Sequence, residues 1–151
     1  EQAISRLFEK IMPDRYAAQY NKVQNTNRDF VINDTVFSTI TVNRNWRTAA
    51  HYDAGDLKEG FGVMSVLESG RYVGGYLIFP KFRVAVDMRH GDLLLADVHE
   101  LHGNTEIIGI PDKFERISIV SYYRAKMVHC GSAEEELQRA RTRRVGTPLF
   151  V

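Results

Sequence analysis

From about residue 35 onward the chain is written in short stretches that alternate apolar and polar residues, and this period of two constrains the fold more than any other feature. The stretches are TVFSTITVN, FGVMSVLE, GGYLIF, FRVAVDM, GDLLLADVH and ERISIVSYY. They are rich in β-branched and aromatic residues and are separated by Gly, Asp and Pro turns, as strands are. No helical pattern lies between them, so the crossovers a parallel sheet needs are missing, and an antiparallel sandwich or barrel is predicted. Helices are expected only at the flanks. In residues 1–24, Ile4, Leu7, Phe8 and Ile11, then Tyr16, Ala17 and Tyr20, recur at steps of three and four, and Pro13 opens the second run. In residues 132–144, Ser132 stands as an N-cap before an acidic first turn and an arginine-rich end. The expected fold class is therefore mainly β with flanking helices. With no internal repeat or linker in sight, residues 1–151 read as a single domain with its β-core at about 35–128.

Composition narrows the partners. The chain has 151 residues, 44% of them hydrophobic, enough for a real core. Twenty basic and nineteen acidic residues give a formal charge of +1, so no global field demands a nucleic acid or a membrane, and any such preference must be local. Cys130 is the single cysteine and cannot form an internal disulfide; no apolar run approaches the length of a membrane span. The opening EQAISRLFEK lacks a charged-then-apolar leader pattern. An intracellular setting without a membrane is expected.

The chemistry concentrates in two polar clusters. NWRTAAHYDAGDL places His51 and Asp53 two residues apart, and LLLADVHELHGN supplies His99 and His102 at the end of an apolar run. The first pair with either later histidine makes two imidazoles and one carboxylate. That donor set holds non-heme Fe(II) on one face and leaves the other face open. Zinc accepts the same donors, but without CxxC pairs or a helical HExxH a structural zinc site or a zinc protease is not indicated. In RISIVSYYR, Arg116 and Ser118 lie side by side on one strand face. An arginine fork helped by a hydroxyl suits the remote carboxylate of a dicarboxylate co-substrate, and a charge in an apolar strand is costly unless answered.

The order of these pieces resembles the iron and 2-oxoglutarate dependent oxygenases: HxD, the GGYLIFP hairpin, the GDLLLADVHELH strand with its distal histidine, then RxS. More specifically, FSTITVNRNWRTAAHYDAGDL, and HELHGNTEI followed by RISIVSYYRAKM, look like the TET and J-binding-protein family, over roughly residues 37–127. That resemblance implies a double-stranded β-helix core of the jelly-roll, cupin-like kind. It implies Fe(II) on His51, Asp53 and His102, the last preferred to His99 because the family's distal ligand lies in the ELH triplet. It further implies 2-oxoglutarate on Arg116 and Ser118 with Arg47 at its keto-acid end, and O2 as the oxidant. The family hydroxylates the 5-methyl group of a pyrimidine base in DNA, and a base inside a duplex must be flipped out to be reached. Asp56 and Arg124 match positions that contact the flipped base and Tyr122 one that packs on it, while His99 is left to the base side, to a place behind it, or to a merely structural role.

Asp56 accepts equally from the amine of cytosine or from N3–H of thymine, and YYR looks closer to the thymine hydroxylases. 5-Methylcytosine is placed first, thymine second, and a protein or small-molecule substrate third; a β-sandwich binding module is the non-enzymatic alternative. Phosphate contacts are expected from Arg44 with Arg47, Lys81 with Arg83, and Arg139, Arg141, Arg143 and Arg144. A monomer associated with DNA is expected, nuclear in a eukaryote and cytoplasmic in a phage or bacterial setting.

Overall fold

A computed structural model describes residues 1–110 and 113–146, with side chains through residue 143 in the last helix. Two helices open the chain, α1 (Gln2–Ile11) and α2 (Pro13–Gln24), the second with proline in its first turn, where a missing N–H costs nothing. Nine strands follow among the described residues: β1 (Thr39–Arg44), β2 (Gly62–Ser69), β3 (Tyr72–Gly74), β4 (Leu77–Phe79), β5 (Val84–Val86), β6 (Leu93–Ala96), β7 (Gly103–Asn104), β8 (Ile107–Gly109) and β9 (Glu115–Tyr122). Helix α3 (Ala133–Gly146) closes the described chain. Ser132 caps it: its hydroxyl accepts from the Glu135 N–H, and the Glu135 carboxylate accepts from the Ser132 N–H at 2.6 Å.

Every strand pair is antiparallel. The largest sheet runs β1-β9-β2-β6, a second runs β5-β4-β7, and β3 pairs with β8. The chain thus forms the double-stranded β-helix core. On the large sheet, alternation sends Val63 and Ser121 outward and Met64, Val120 and Tyr122 inward.

The outer face is covered by the N-terminal helices. Phe8 and Phe37 are fully buried and stacked at 6.4 Å, with Tyr16 edge-on to Phe8, and this cluster continues into Val23, Val36, Leu57, Val63 and Tyr123. Burying a ring of that size contributes roughly 2–3 kcal/mol. Val36 and Phe37, predicted as strand residues, precede β1 and serve as core plugs. GDLLLADVH stops being strand at Ala96, where the chain turns to bring the histidines round. Strands β3, β7 and β8 escape sequence reading because, at two or three residues, they fall largely outside the alternating stretches, whereas the equally short β4 and β5 sit inside longer ones.

Candidate active site

The inner face of the large sheet and the β4–β7 sheet enclose a cavity of about 400 Å3. Thr41, Met64, Leu94 and Val120 line one side, and Leu77, Phe79 and Asn104 the other. Its size suits a small molecule or a single base.

The HxD segment and the residues after β6 meet across this cavity as a narrow antiparallel pair. His51 and His102 exchange both backbone hydrogen bonds, at 2.9 and 3.1 Å. The Asp53 N–H donates to the Val98 carbonyl at 3.0 Å, and the Asn104 N–H to the Thr48 carbonyl at 2.9 Å. Residues separated by a third of the chain are thereby set face to face. Each imidazole is then fixed by the backbone carbonyl two residues before it: His51 Nδ1 to Ala49 and His102 Nδ1 to Glu100, both at 2.8 Å. A carbonyl only accepts, so Nδ1 carries the proton and Nε2 offers a lone pair. The two Nε2 atoms lie 3.4 Å from opposite oxygens of the Asp53 carboxylate, and one ligand atom from each residue lies within 4.8 Å of the others.

Two lone pairs aimed at a carboxylate repel it unless a proton or a cation lies between. The pull shows in the acidities. Asp53 lies below the usual carboxylate range, held by its hydrogen bond with His102 against the opposing effect of burial. His102 lies above the ordinary imidazole value: burial lowers it, but the bond to Asp53 and the nearby carboxylate charges outweigh that. The donor set fits a divalent metal bound on one face.

Arg116 fits an anionic co-substrate. It is 3% exposed, its Nε and Nη2 have no hydrogen-bond partner, and no ion pair answers its charge among the described residues. A buried guanidinium left this way is expensive without a ligand. It is not itself among the cavity-lining residues but stands on the strand face that carries Ser118, Val120 and Tyr122 into the cavity, and Ser118 is itself buried. Gly75, with φ +72°, packs against it: a Cβ there would come 3.4 Å from Arg116 Nε.

Asp56, Tyr122 and Arg124 line the same cavity. Asp56 and Arg124 form a second isolated antiparallel bridge, and the Arg124 guanidinium covers Gly55, where a Cβ would meet Nη2 at 2.9 Å. Burial, then the charge of Asp53, pushes the Asp56 carboxyl up to about 6, with Arg124 opposing. The Tyr122 hydroxyl is 3.2 Å from Thr41 Oγ1, which orients the ring.

One residue stands elsewhere than expected, and His99 takes the rear of the places expected for it. Arg47 is exposed and is not among the cavity-lining residues; Trp46 and Thr48, its neighbours, are. His99 does not line the cavity either. Its Nδ1 is 3.1 Å from Asp97 Oδ1 and its Nε2 3.2 Å from the Asp56 carbonyl, so it props the Asp56 loop from behind.

Sequence reasoning missed Trp46 and Tyr52, which line the cavity while 64% and 61% exposed. The available signal was Trp46 as the sole tryptophan, and Tyr52 as the middle residue of HxD, which period two turns away from the metal side. The basic clusters are partly engaged: Arg44 pairs with Glu115, Lys81 with Glu100 and Arg139 with Glu136. The Arg144 side chain lies outside the described residues. No helix among the described residues is long and apolar enough to cross a membrane.

Comparison with known proteins agrees with this architecture. The Tet_JBP family, described as the oxygenase domain of the 2OGFeDO superfamily, matches residues 1–125. The bifunctional helicase and thymine dioxygenase JBP2 of Leishmania tarentolae is 38% identical over 125 residues, covering 83% of this chain and 11% of that protein. The thymine dioxygenase JBP1-B of Trypanosoma cruzi is 37% identical over 146 residues, 95% of this chain and 17% of that protein. The chain therefore spans only a small part of the length of these relatives. Among solved structures, NgTET1 in complex with 5mC DNA shares the fold with a TM-score of 0.69 at 14% identity, over 94% of this chain and 56% of that one. Proteins of this superfamily work with Fe(II), 2-oxoglutarate and O2, and the His-Asp-His donor set suits that metal. The chain belongs to the Tet_JBP family, the oxygenase domain of the 2OGFeDO superfamily.

Proposed function

We propose that the chain is one dioxygenase domain, residues 1–151, that oxidises the 5-methyl group of a pyrimidine base in DNA. The observation that carries the reading is the meeting of His51, Asp53 and His102 at a base-sized cavity that also receives Asp56, Tyr122 and Arg124. Fe(II) with 2-oxoglutarate and O2, when bound, would supply the power to oxidise the methyl C–H bond. The chain's own residues do the rest. His51, Asp53 and His102 hold the metal. Arg116 and Ser118 hold the remote carboxylate of the co-substrate, and the buried, unpartnered guanidinium supports that role. Arg47, on the exposed side of the HxD segment, is left to the DNA backbone rather than to the keto acid.

A flipped pyrimidine enters with its edge toward Asp56 and Arg124, one acceptor and one donor, and with Tyr122 against its face. Met64, Leu77, Phe79 and Val120 give the methyl group a dry wall. Trp46 and Tyr52 at the mouth offer flat apolar surface to neighbouring bases. All these residues come from one chain, which supports action as a monomer.

Thymine is the substrate favoured by the relatives, which are thymine dioxygenases at 37–38% identity. 5-Methylcytosine is the second reading, kept by Asp56, which accepts from an exocyclic amine as readily as from N3–H.

Nucleoside mass spectrometry tests both. DNA containing thymine and 5-methylcytosine is incubated with protein, Fe(II), ascorbate and 2-oxoglutarate. 5-Hydroxymethyluracil is expected, and its loss in Asp53→Ala. 5-Hydroxymethylcytosine instead selects the second reading. Succinate formed while both bases stay intact overturns the DNA reading in favour of a protein or small-molecule substrate. Failure to bind Mn(II) or 2-oxoglutarate at all leaves the binding-module alternative.

A further inference from the structure

The β2–β9 register sets Glu68 directly across from Arg116. Opposite residues on neighbouring strands share a face, and an acid beside a buried guanidinium is its natural partner. Yet Arg116 Nε and Nη2 are unpartnered, and no ion pair joins the two residues. The Glu68 carboxylate is engaged elsewhere: its Oε2 accepts a hydrogen bond from the Tyr72 hydroxyl.

Local structure makes that diversion firm. The turn from β2 into β3 passes through Gly70, whose φ of +74° and whose approach to the Lys113 carbonyl exclude a side chain. This returns Tyr72 to Glu68 four residues on. Tyr72 is 7% exposed, tilted against Phe114 at 5.5 Å, with the Arg89 guanidinium 4.8 Å from its ring centre. Arg89 is itself paired with Asp87 at 2.7 Å, and His90 Nδ1 accepts from the Glu68 N–H at 3.1 Å. The ring therefore has a fixed place, and Glu68 has a partner other than Arg116.

We propose that Tyr72 and Glu68 form a guard that keeps Arg116 vacant for the carboxylate of an anionic co-substrate. The phenol ties up the acid that the strand register sets across from the guanidinium fork. The inference rests on the reading that Arg116 receives the remote carboxylate of 2-oxoglutarate. Tyr72 and Glu68 are positioning residues and touch neither metal nor substrate.

Calorimetric titration of 2-oxoglutarate into the Mn(II)-loaded protein tests it without turnover. Tyr72→Phe keeps the ring and removes the hydroxyl, and a melting curve checks that the fold is kept. If the freed Glu68 then occupies Arg116 about nine-tenths of the time, affinity falls about tenfold. Adding Glu68→Gln to Tyr72→Phe is expected to restore binding to within about twofold of wild type, because the competing charge is gone. Glu68→Gln alone is expected to bind at least as tightly as wild type, a test that leaves Tyr72 untouched. The guard is overturned if Tyr72→Phe binds normally, if the double variant stays weak, or if Glu68→Gln alone weakens binding. Arg116→Gln separates the two failures. Loss of binding there with normal Tyr72→Phe sinks the guard alone, whereas normal binding in Arg116→Gln sinks the co-substrate reading and the guard with it.

Discussion

At Gly103 a hydrogen in place of a side chain sets how closely the two imidazoles can stand. A Cβ there would lie 2.9 Å from the Ala50 nitrogen and 3.0 Å from its Cα, both backbone atoms that move only if the His51–His102 bridge parts. Gly103→Ala is expected to weaken Mn(II) binding by roughly ten- to a hundredfold, since ligand orientation is worth that much at a metal site. Gly91→Ala is the contrast: it also adds strain, at φ +83°, but meets no atom within 4 Å. It is expected to cost about 1 kcal/mol of stability and to leave metal affinity alone. Calorimetry on both variants decides, and equal affinities would show that the bridge does not set ligand spacing. At this scale the sequence is generous about donor types and silent about their supports. His51 and Asp53 are legible because period two puts both on one face. The carbonyls of Ala49 and Glu100 that fix the tautomers are not, because any residue supplies a carbonyl and only the turn aims it.

Between elements, one buried side chain ties the helical layer to the sheet. Gln19 of α2 is 1% exposed; its Nε2 donates to the Val36 carbonyl at 2.7 Å, and its Oε1 accepts from the Phe61 N–H at 3.3 Å. It thus fastens the segments leading into β1 and β2 to one helix. Gln19→Leu keeps the volume but strands two backbone groups, the buried Val36 carbonyl and the part-buried Phe61 N–H, at about 1–3 kcal/mol each. A loss of roughly 2–4 kcal/mol is expected in urea melts. A loss below about 0.5 kcal/mol would show that the loops find other partners. The elements themselves were largely readable. Each of the six alternating stretches contains a strand, and Pro13 and Ser132 mark helix starts as their chemistry requires. What resisted reading were the short strands β3, β7 and β8, whose pairing is imposed by neighbours rather than by their own pattern.

Over the whole molecule, charge is balanced locally as well as in sum. Arg44, Lys81 and Arg139, one member of each of the three basic clusters, are already paired to acids, which leaves each cluster fewer cations to replace counterions on a nucleic acid. Binding of this chain to duplex DNA is therefore expected to fall with salt on a shallow log–log slope, between about −2 and −4, measured by fluorescence anisotropy. A slope steeper than about −6 would mean a broad phosphate-binding surface that the ion pairs argue against. The sequence by itself determined the strand-rich class, the flanking helices and the supply of two imidazoles, a carboxylate and a strand arginine, because periodicity and residue chemistry are local properties. It also determined, through resemblance, the order in which these pieces are used. The resemblance already preferred His102 to His99; only the tertiary structure decided that His99 braces the Asp56 loop, that Arg47 stays outside, and that Arg116 is kept from the acid opposite it. Those outcomes depend on backbone register between distant strands, and register is fixed by the packing of the whole chain rather than by any one segment of it.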